Sequence, residues 1–283
     1  MLLIEVDKPF NDPDYYFEIK FDGIRAKCFV TKNEIQILSR NNQDLTSYFP
    51  ELKDLTKLVN DKVIFDGELV AFNNLKPSFK DIMMRIRIKN KTRIATEASN
   101  NPIVFVAFDI LYKNKDLTTL PLKKRKEILN KYPDTEVFTK TKYIESDGVR
   151  LFKEIKKLNL EGIVAKRIES PYHINKRTND FIKIKNLHID DFYIGGFEYK
   201  KNDIISLALG EIRENKFNYV GKVAISKKKS IYKDIINTRE SKKNYFSNFS
   251  EEIHYLKPTI KIRIEYLEKT KSGMLRHPKY KDF

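Results

Sequence analysis

The sequence predicts an α+β domain followed by an all-β domain, and three observations support this division. Up to about residue 186, segments with strand-like alternation are mixed with segments in which apolar residues recur at helical spacing. From Phe192 onward, short strand-like segments with glycine between them follow at regular spacing, as in a small barrel. At 283 residues the chain is also longer than most single hydrophobic cores. We therefore expect domains at residues 1–187 and 188–283, the second of them an OB fold.

The composition indicates a folded, basic protein. Hydrophobic residues make up 41% and aromatic residues 12% of the chain, which is enough for packed cores and excludes a disordered chain. The 55 Lys and Arg residues outnumber the 39 Asp and Glu residues, giving a net charge of +16 that suggests a polyanionic partner such as nucleic acid.

The single cysteine, Cys28, excludes a disulfide framework and a cysteine-based zinc site. The chain shows no signal-peptide pattern and no apolar run of membrane-spanning length, so we expect a cytoplasmic protein.

The stretch from residue 15 to residue 30 has the pattern of two apolar strands joined by an Asp-Gly turn. Side chains alternate along a strand, so Glu18, Lys20 and Asp22 are expected on one face, with Lys20 at the rim of the turn. A solvated edge with a surface lysine explains this pattern as well as a nucleophilic lysine does. The remaining motifs have to decide between the two interpretations.

The next segments place further charged residues at predicted strand ends. A strand that ends at Arg40 precedes a short amphipathic helix at residues 52–59. Residues 62–72 repeat the pattern of strand, Asp-Gly turn and strand, which predicts Asp66 and Glu68 at a second sheet rim.

Residues 79–101 are predicted to form one helix followed by a loop. Apolar and basic residues alternate at helix-like spacing over residues 79–93, with Met84 facing inward and Arg85 facing solvent. Residues 90–101 are polar and predict a loop or flexible tip.

Three further strands complete the first domain, with two amphipathic helical segments between the first and the second strand. Residues 103–111 form a near-continuous apolar run, as expected of a buried central strand. Residues 161–167 and 181–186 also have strand patterns, and in the second of these Lys183 and Lys185 point to the same face. Two such lysines repel each other unless an anion lies between them.

Seven fragments, taken in order, resemble the motifs of the covalent nucleotidyltransferases and, within them, the ATP-dependent DNA ligases. These fragments are EIKFDGIR, LSR, FDGELVAF, VAFDIL, EGIVAKR, FIKIK and TKSGMLRHPKY. The resemblance spans nearly the whole chain, and the LRHP ending and the barrel opening FYIGGFEY are most similar to the ligase domain of bacterial end-joining ligases. It implies a nucleotidyltransferase domain with ATP-grasp-like antiparallel sheets and helices, followed by the OB fold.

The resemblance implies that Lys20 attacks the α-phosphorus of ATP and carries AMP as a lysyl-adenylate. AMP then passes to the 5′-phosphate of a nick, and the 3′-hydroxyl displaces it. An ammonium is not a nucleophile, so nearby cations such as Lys183 and Lys185, and a bound metal, are expected to favour the neutral amine.

The resemblance also implies roles for the other motif residues. In the nucleotide site these are Glu18 at the adenine amino group, Phe108 stacked on the ring, Glu68 at the ribose, Arg25 and Arg40 at sugar or phosphate, Glu161 at a divalent ion with help from Glu68, and Lys183 and Lys185 at the α-phosphate. Asp22 would orient Lys20 or contact DNA and metal. Arg276 would swing in from the barrel to align pyrophosphate, which requires domain closure near residue 187.

The expected activity is that of a minimal ATP-dependent DNA ligase, a cytoplasmic monomer that associates with the nucleoid when on DNA and uses ATP with Mg²⁺ or Mn²⁺. Without further domains, it would bind nicked or broken duplex DNA by its two basic domains or with a partner such as the end-binding protein Ku. Two alternatives stay open: an RNA ligase or RNA-capping nucleotidyltransferase, and a non-catalytic nucleic-acid-binding protein. An adduct formed with GTP rather than ATP would favour the capping enzyme.

Overall fold

A computed structural model of the chain describes residues 1–200 and 203–281. It divides into two compact units, Met1–Asn186 and Leu187–Phe283. The predicted domain boundary lies one residue from this division, and the assignment of a function to each domain stays a prediction. Among the described residues, no helix combines the length and the apolar character needed to cross a membrane.

The first unit contains twelve strands and four α-helices within its described residues. In chain order they are β1 (Leu2–Glu5), β2 (Asp12–Ile19), β3 (Ile24–Val30), β4 (Ile35–Ser39), β5 (Val63–Val70), β6 (Phe72–Asn73), β7 (Lys76–Pro77), α1 (Phe79–Arg85), α2 (Lys91–Asn100), β8 (Val104–Lys113), α3 (Leu122–Leu129), β9 (Phe138–Lys140), β10 (Tyr143–Ser146), α4 (Gly148–Lys157), β11 (Gly162–Arg167) and β12 (Arg177–Lys185). The predicted helix at residues 52–59 is a 3₁₀ helix, Pro50–Leu58, and a shorter one precedes it at Thr46–Tyr48.

Two five-stranded sheets organise these elements. The first sheet has the order β1-β12-β11-β2-β10, and the second has the order β4-β3-β5-β8-β9. Apolar side chains on β2 and β11 pack against α4 through Phe152 and Ile155. In the second sheet, Phe65 on β5 packs against Phe138 on β9 with ring centroids 5.3 Å apart. Cys28 is fully buried in β3, and burial raises the pKa of its thiol.

Neither Asp-Gly pair forms the predicted hairpin turn. β2 and β3 pair in different sheets, so the connection that contains Asp22 carries the chain from the first sheet to the second. Asp66 and Gly67 lie inside one continuous strand, β5. A Cβ atom at Gly67 would lie 2.5 Å from a ring carbon of Phe105, so close packing of β5 on β8 accounts for this glycine without a turn. Asp66 is therefore buried within the sheet and not placed at a rim.

The helical prediction for residues 79–101 is also wrong in detail. Two helices, α1 and α2, replace the predicted helix and loop. The Ser78 side chain accepts a hydrogen bond from the Asp81 amide at the start of α1, and Asn90 does the same for Arg93 at the start of α2. The predicted orientations are reversed, because the Met84 residue is 50% exposed while Arg85 is buried and bonds both carboxylate oxygens of Glu51.

The second unit is a seven-stranded antiparallel sheet with one α-helix among its described residues. Its elements are β13 (His188–Lys200), β14 (Asp203–Arg213), β15 (Lys216–Ala224), α5 (Ile231–Ile236), β16 (Glu240–Ser241), β17 (His254–Leu256), β18 (Lys261–Tyr266) and β19 (Lys279–Tyr280). β13 is central, since β14, β17 and β18 all pair with it. Buried side chains from these strands and from α5 form one core.

Candidate active site

Lys20 lies directly after β2, where the neighbouring strand β11 begins. Its amide donates a hydrogen bond to the Gly162 carbonyl at 2.9 Å, and this backbone contact extends the pairing of the two strands. Its Nζ lies 2.7 Å from Oε2 of Glu161, the residue before β11. Both side chains are mostly buried. The sheet therefore brings together two residues that the sequence separates widely, and the strand pairing fixes their backbones.

Two carboxyl groups near Lys20 have raised pKa values. Burial raises the pKa of Glu161, against the lowering effect of the Lys20 ammonium, and the charge of Asp22 adds to the rise. Burial likewise raises the pKa of Glu68 to about 8, opposed by Lys20 and reinforced by the charge of Glu161. The site therefore holds two acidic groups that repel each other when both are ionised.

This pair of carboxyl groups fits a divalent metal ion. Oxygen donors are the ligands that Mg²⁺ prefers, and a cation would relieve the repulsion between Glu68 and Glu161. Over residues 1–200 and 203–281, no group of three or more His, Cys, Asp or Glu side chains is placed to hold a metal by itself. An ion bound here would thus take its remaining ligands from substrate phosphate or water, as Mg²⁺ commonly does.

A small cavity of about 80 Å³ opens beside Lys20. It is lined by side chains of both sheets, which are Met1, Leu3, Glu18, Ile19, Lys20, Phe21, Arg25, Glu68, Phe108, Thr141, Val164, Lys166 and Phe181. The Lys166 ammonium lies 4.5 Å from the ring centroid of Phe108 and 5.3 Å from that of Phe181. A ring that stacks on the face of Phe108 next to Lys166 must therefore share this space with Lys166 or displace it.

Glu18 is buried and ionised beside two lysines. Its Oε1 lies 2.5 Å from Nζ of Lys126, and its Oε2 lies 2.7 Å from Nζ of Lys166. The Thr141 hydroxyl donates to the same Oε2 at 3.0 Å. Burial alone would raise the pKa of Glu18, but the two ammonium groups lower it. The Glu18 carboxylate therefore stays ionised, and its contacts fix its orientation in the lining of the cavity.

Arg25 is bound by its own protein neighbours. Its guanidinium donates to both oxygens of Asp66, at 3.2 and 2.8 Å, to the Met1 carbonyl at 2.6 Å and to the Tyr172 hydroxyl at 3.1 Å. It also lies 5.5 Å from the ring centroid of Phe108. These contacts hold the Arg25 side chain in place where it lines the cavity. Its role at sugar or phosphate stays a prediction.

An anion contacts both Lys183 and Lys185, as expected for two lysines that point to the same face of a strand. That anion is Glu5 of β1, whose Oε2 lies 3.0 Å from Nζ of Lys183 and 3.1 Å from Nζ of Lys185. β1 runs parallel to β12, with Glu5 directly beside Lys183.

Arg40 and Arg276 do not line the small cavity, and neither do Asp22, Glu161, Lys183 and Lys185. Arg40, directly after β4, lines a larger cavity of about 470 Å³, to which Arg25 and Met1 also contribute. Arg276 belongs to the second unit, where its Nη1 lies 2.6 Å from Oε1 of Glu268. Their predicted roles stay predictions.

Family comparison agrees with the resemblance seen in the motifs. The family model "ATP dependent DNA ligase domain" matches residues 4–185, and "ATP dependent DNA ligase C terminal region" matches residues 200–283. The chain belongs to the ATP-dependent DNA ligase family. The predicted nucleotidyltransferase domain followed by an OB fold is thereby confirmed.

Relatives of this ligase-family chain include bacterial proteins of different lengths. It is 38% identical over 210 residues to the SPbeta prophage-derived DNA ligase-like protein LigB of Bacillus subtilis, covering 72% of each chain. It is 27% identical over 287 residues to the multifunctional non-homologous end joining protein LigD of Mycolicibacterium smegmatis, covering 96% of this chain and 36% of that protein. It spans 30% of the probable DNA ligase of Dictyoglomus turgidum. The chain therefore covers about a third of the length of the latter two relatives.

Solved ligase structures share the fold. One is a mycobacterial DNA ligase D complexed with ATP and MES, with a TM-score of 0.59 and 22% identity, covering 99% of this chain and 93% of that one. Another comes from a study of Lig E DNA ligases, with a TM-score of 0.67 and 16% identity, and the match covers 99% of this chain and 98% of that one.

Sequence reasoning did not assign to the site several side chains that contact its predicted residues: Glu5, Lys126, Thr141, Lys166 and Tyr172. For Lys126 the sequence does hold a signal. The buried face of α3 includes Leu122, Arg125, Lys126 and Leu129, so two basic residues occupy the helical spacing of a core stripe. Arg125 pairs with Asp109 in the same buried layer, with Nε 2.8 Å from Oδ1.

Proposed function

We propose that this ligase-family chain seals 5′-phosphate/3′-hydroxyl nicks in duplex DNA through an adenylate carried on Lys20. The observation that carries the proposal is the placement of Lys20 Nζ, 2.7 Å from Glu161, at the edge of a cavity that Glu18, Glu68 and Phe108 also line. Phosphoryl transfer depends mainly on positioning and on charge, and these residues supply both.

In the first step, the neutral Lys20 amine attacks the α-phosphorus of ATP. An N–P bond forms, the bond from phosphorus to the bridging oxygen breaks and pyrophosphate leaves, and the attacking nitrogen releases one proton to solvent. Lys183 and Lys185 are the cations proposed to hold the α-phosphate. A divalent ion held by Glu161 and Glu68 would neutralise phosphate oxygens during this transfer.

Glu18 is proposed to fix the adenine. A carboxylate accepts hydrogen bonds and donates none, so it favours the amino group of adenine over the carbonyl of guanine. The Lys126 and Lys166 contacts keep it ionised for that task.

In the second and third steps, AMP passes from Lys20 to the 5′-phosphate of the nick, and the 3′-hydroxyl then displaces AMP to close the strand. Arg40 is proposed to hold the 5′-phosphate. The net charge of +16 supports binding to the DNA backbone.

The biological setting proposed is repair of double-strand breaks, with Ku or another end-binding protein as a partner. This proposal draws on the similarity to the multifunctional non-homologous end joining protein LigD. Mg²⁺ or Mn²⁺ is the proposed metal.

The proposal is tested by incubating the protein with α-labelled ATP or GTP and a divalent metal, followed by a denaturing gel and a nick-sealing assay. The wild type should take up label from ATP and seal a DNA nick, whereas Lys20→Ala should do neither. Lys157→Ala, an exposed lysine paired with Glu154, is the matched control and should keep both activities.

Label from GTP, or sealing of RNA in preference to DNA, would contradict the proposal and favour the alternative nucleotidyltransferases. Nick binding without any label would identify a non-catalytic binding protein.

A further inference from the structure

Glu5 makes a contact that the ligation chemistry does not explain. One of its oxygens, Oε2, bonds both Lys183 and Lys185, the two lysines proposed to hold the α-phosphate of ATP. A carboxylate and a phosphate present the same feature to a lysine, namely a negatively charged oxygen that accepts hydrogen bonds. Glu5 therefore competes with any phosphate that approaches these two ammonium groups.

The backbone holds this carboxylate in place. β1 pairs with β12 in parallel, and Ile4 and Glu5 lie beside Ile182 and Lys183. Because neighbouring residues of paired strands point to the same face, Glu5 and both lysines project from one side of the first sheet. The Glu5 side chain is 28% exposed, so an incoming ligand can reach it.

The pKa of Glu5 reflects its contacts with the two lysines. Burial would raise the pKa of Glu5, but hydrogen bonds and charge from Lys183 and Lys185 lower it to about 2. The carboxylate is thus ionised throughout the neutral range, and it lets two ammonium groups lie close together before any nucleotide is present.

We propose that Glu5 is a built-in counter-ion that occupies the phosphate-binding lysines in the nucleotide-free protein and gives them up to the nucleotide phosphate. This inference rests on the proposed function, because it assigns Lys183 and Lys185 to the α-phosphate. Glu5 is a positioning residue: it acts through the two lysines, keeps them converged, and weakens phosphate binding by its own negative charge.

The test is the affinity for AMP, which binds without transfer, measured by calorimetry on the full chain after pyrophosphate has removed any bound adenylate. Glu5→Gln keeps the size and a hydrogen-bond acceptor but removes the charge, so AMP should bind roughly 3- to 10-fold more tightly. AMP should also raise the melting temperature of Glu5→Gln more than that of the wild type, since the lysines of the variant lack a full counter-ion. A purely structural role would not tighten binding.

Glu154→Gln is the matched control, because it removes the same charge from an exposed ion pair on α4, and it should leave AMP affinity unchanged. If Glu5→Gln does not fold, Glu5→Asp replaces it. The shorter side chain draws the carboxylate away from the lysines, and AMP should again bind more tightly, by a smaller factor.

Unchanged or weaker AMP binding in the folded variant would overturn the inference. The proposed function is judged separately, by label on Lys20 of the wild type. Label on the wild type together with unchanged AMP affinity in Glu5→Gln would reject the counter-ion alone, whereas a wild type that neither binds AMP nor takes up label would reject both.

Discussion

Lys126 shows how much of the first unit depends on single buried charges. Its side chain is 2% exposed, and its ammonium contacts both Oε1 of Glu18 and the hydroxyl of Thr141. Removing one partner of a buried ion pair leaves the other charge without compensation, which costs more than the pair contributes. Here the residue left behind would be Glu18, which retains contacts with Lys166 and Thr141.

Lys126→Met should therefore lower the free energy of unfolding by about 3 kcal/mol. It should also raise the KM for ATP, because Glu18 loses one of the groups that fix its orientation. Urea unfolding and adenylation kinetics measure the two effects. Lys124→Met is the control on the same helix, and its exposed side chain predicts a change within about 0.5 kcal/mol. Equal effects of the two substitutions would show that the buried ion pair contributes little.

At the scale of elements, Gly162 determines how β11 begins beside Lys20. Its φ is +151°, a value that residues with a side chain rarely adopt, and a Cβ atom there would lie 2.1 Å from the Ile184 carbonyl oxygen. Gly162 thus allows close pairing with β12, while its own carbonyl accepts the Lys20 amide. Strand geometry at this single position sets the backbones of Glu161 and Lys20 relative to each other.

Gly162→Ala should destabilise the first unit through both backbone strain, about 1 to 3 kcal/mol, and the steric clash, about as much again. Gly221→Ala separates the two causes. Gly221 has a similar φ of +144°, but its Cβ would meet Leu275 at an ordinary 3.8 Å. Urea unfolding should give a clearly larger loss for Gly162→Ala, and a loss equal to that of Gly221→Ala would argue against the clash.

The elements also show what the sequence can predict. Strong alternation located the strands of both units, and the pairing of β11 with both β2 and β12 brings Lys20, Glu161, Lys183 and Lys185 to one sheet. The turn at Asp66 and Gly67 was predicted wrongly, because local turn propensity is overridden there by packing against Phe105 and by the ion pair with Arg25. The contact of Glu5 with Lys183 and Lys185 could not be predicted, since these residues lie on elements far apart in the chain. For Lys126, the helical spacing of α3 indicates burial, but its pairing with the distant Glu18 could not be predicted.

At the scale of the whole molecule, basic charge is spread over both units. Residues 187–283 contain 20 basic and 13 acidic residues, so the second unit also carries a positive excess. Arg276 is among these basic residues, and its side chain pairs with Glu268 in the second unit. The proposed role of Arg276 at pyrophosphate concerns the first chemical step alone.

Arg276→Ala should therefore slow adenylation of Lys20 by roughly 100-fold, the usual cost of losing one charge-stabilising donor. Sealing of a nick that already carries AMP should be largely retained, because pyrophosphate takes no part in it. Rapid-quench assays of each step measure the two rates. Arg263→Ala, an exposed arginine paired with Asp191 on the same unit, should affect neither. Equal losses in both steps would point to a general role in DNA binding.

Because Cys28 is buried, the reactivity of its thiol reports on local opening of the second sheet. The thiol lies in β3, between β4 and β5, with no solvent exposure, and its raised pKa keeps it protonated and unreactive. Since the sequence contains one cysteine, any reaction of the native chain with a thiol reagent has to wait until the second sheet separates. The rate of that reaction measures how often this sheet opens. For the same reason, a fluorophore that reacts with a cysteine introduced on the surface would label the native chain at that single site.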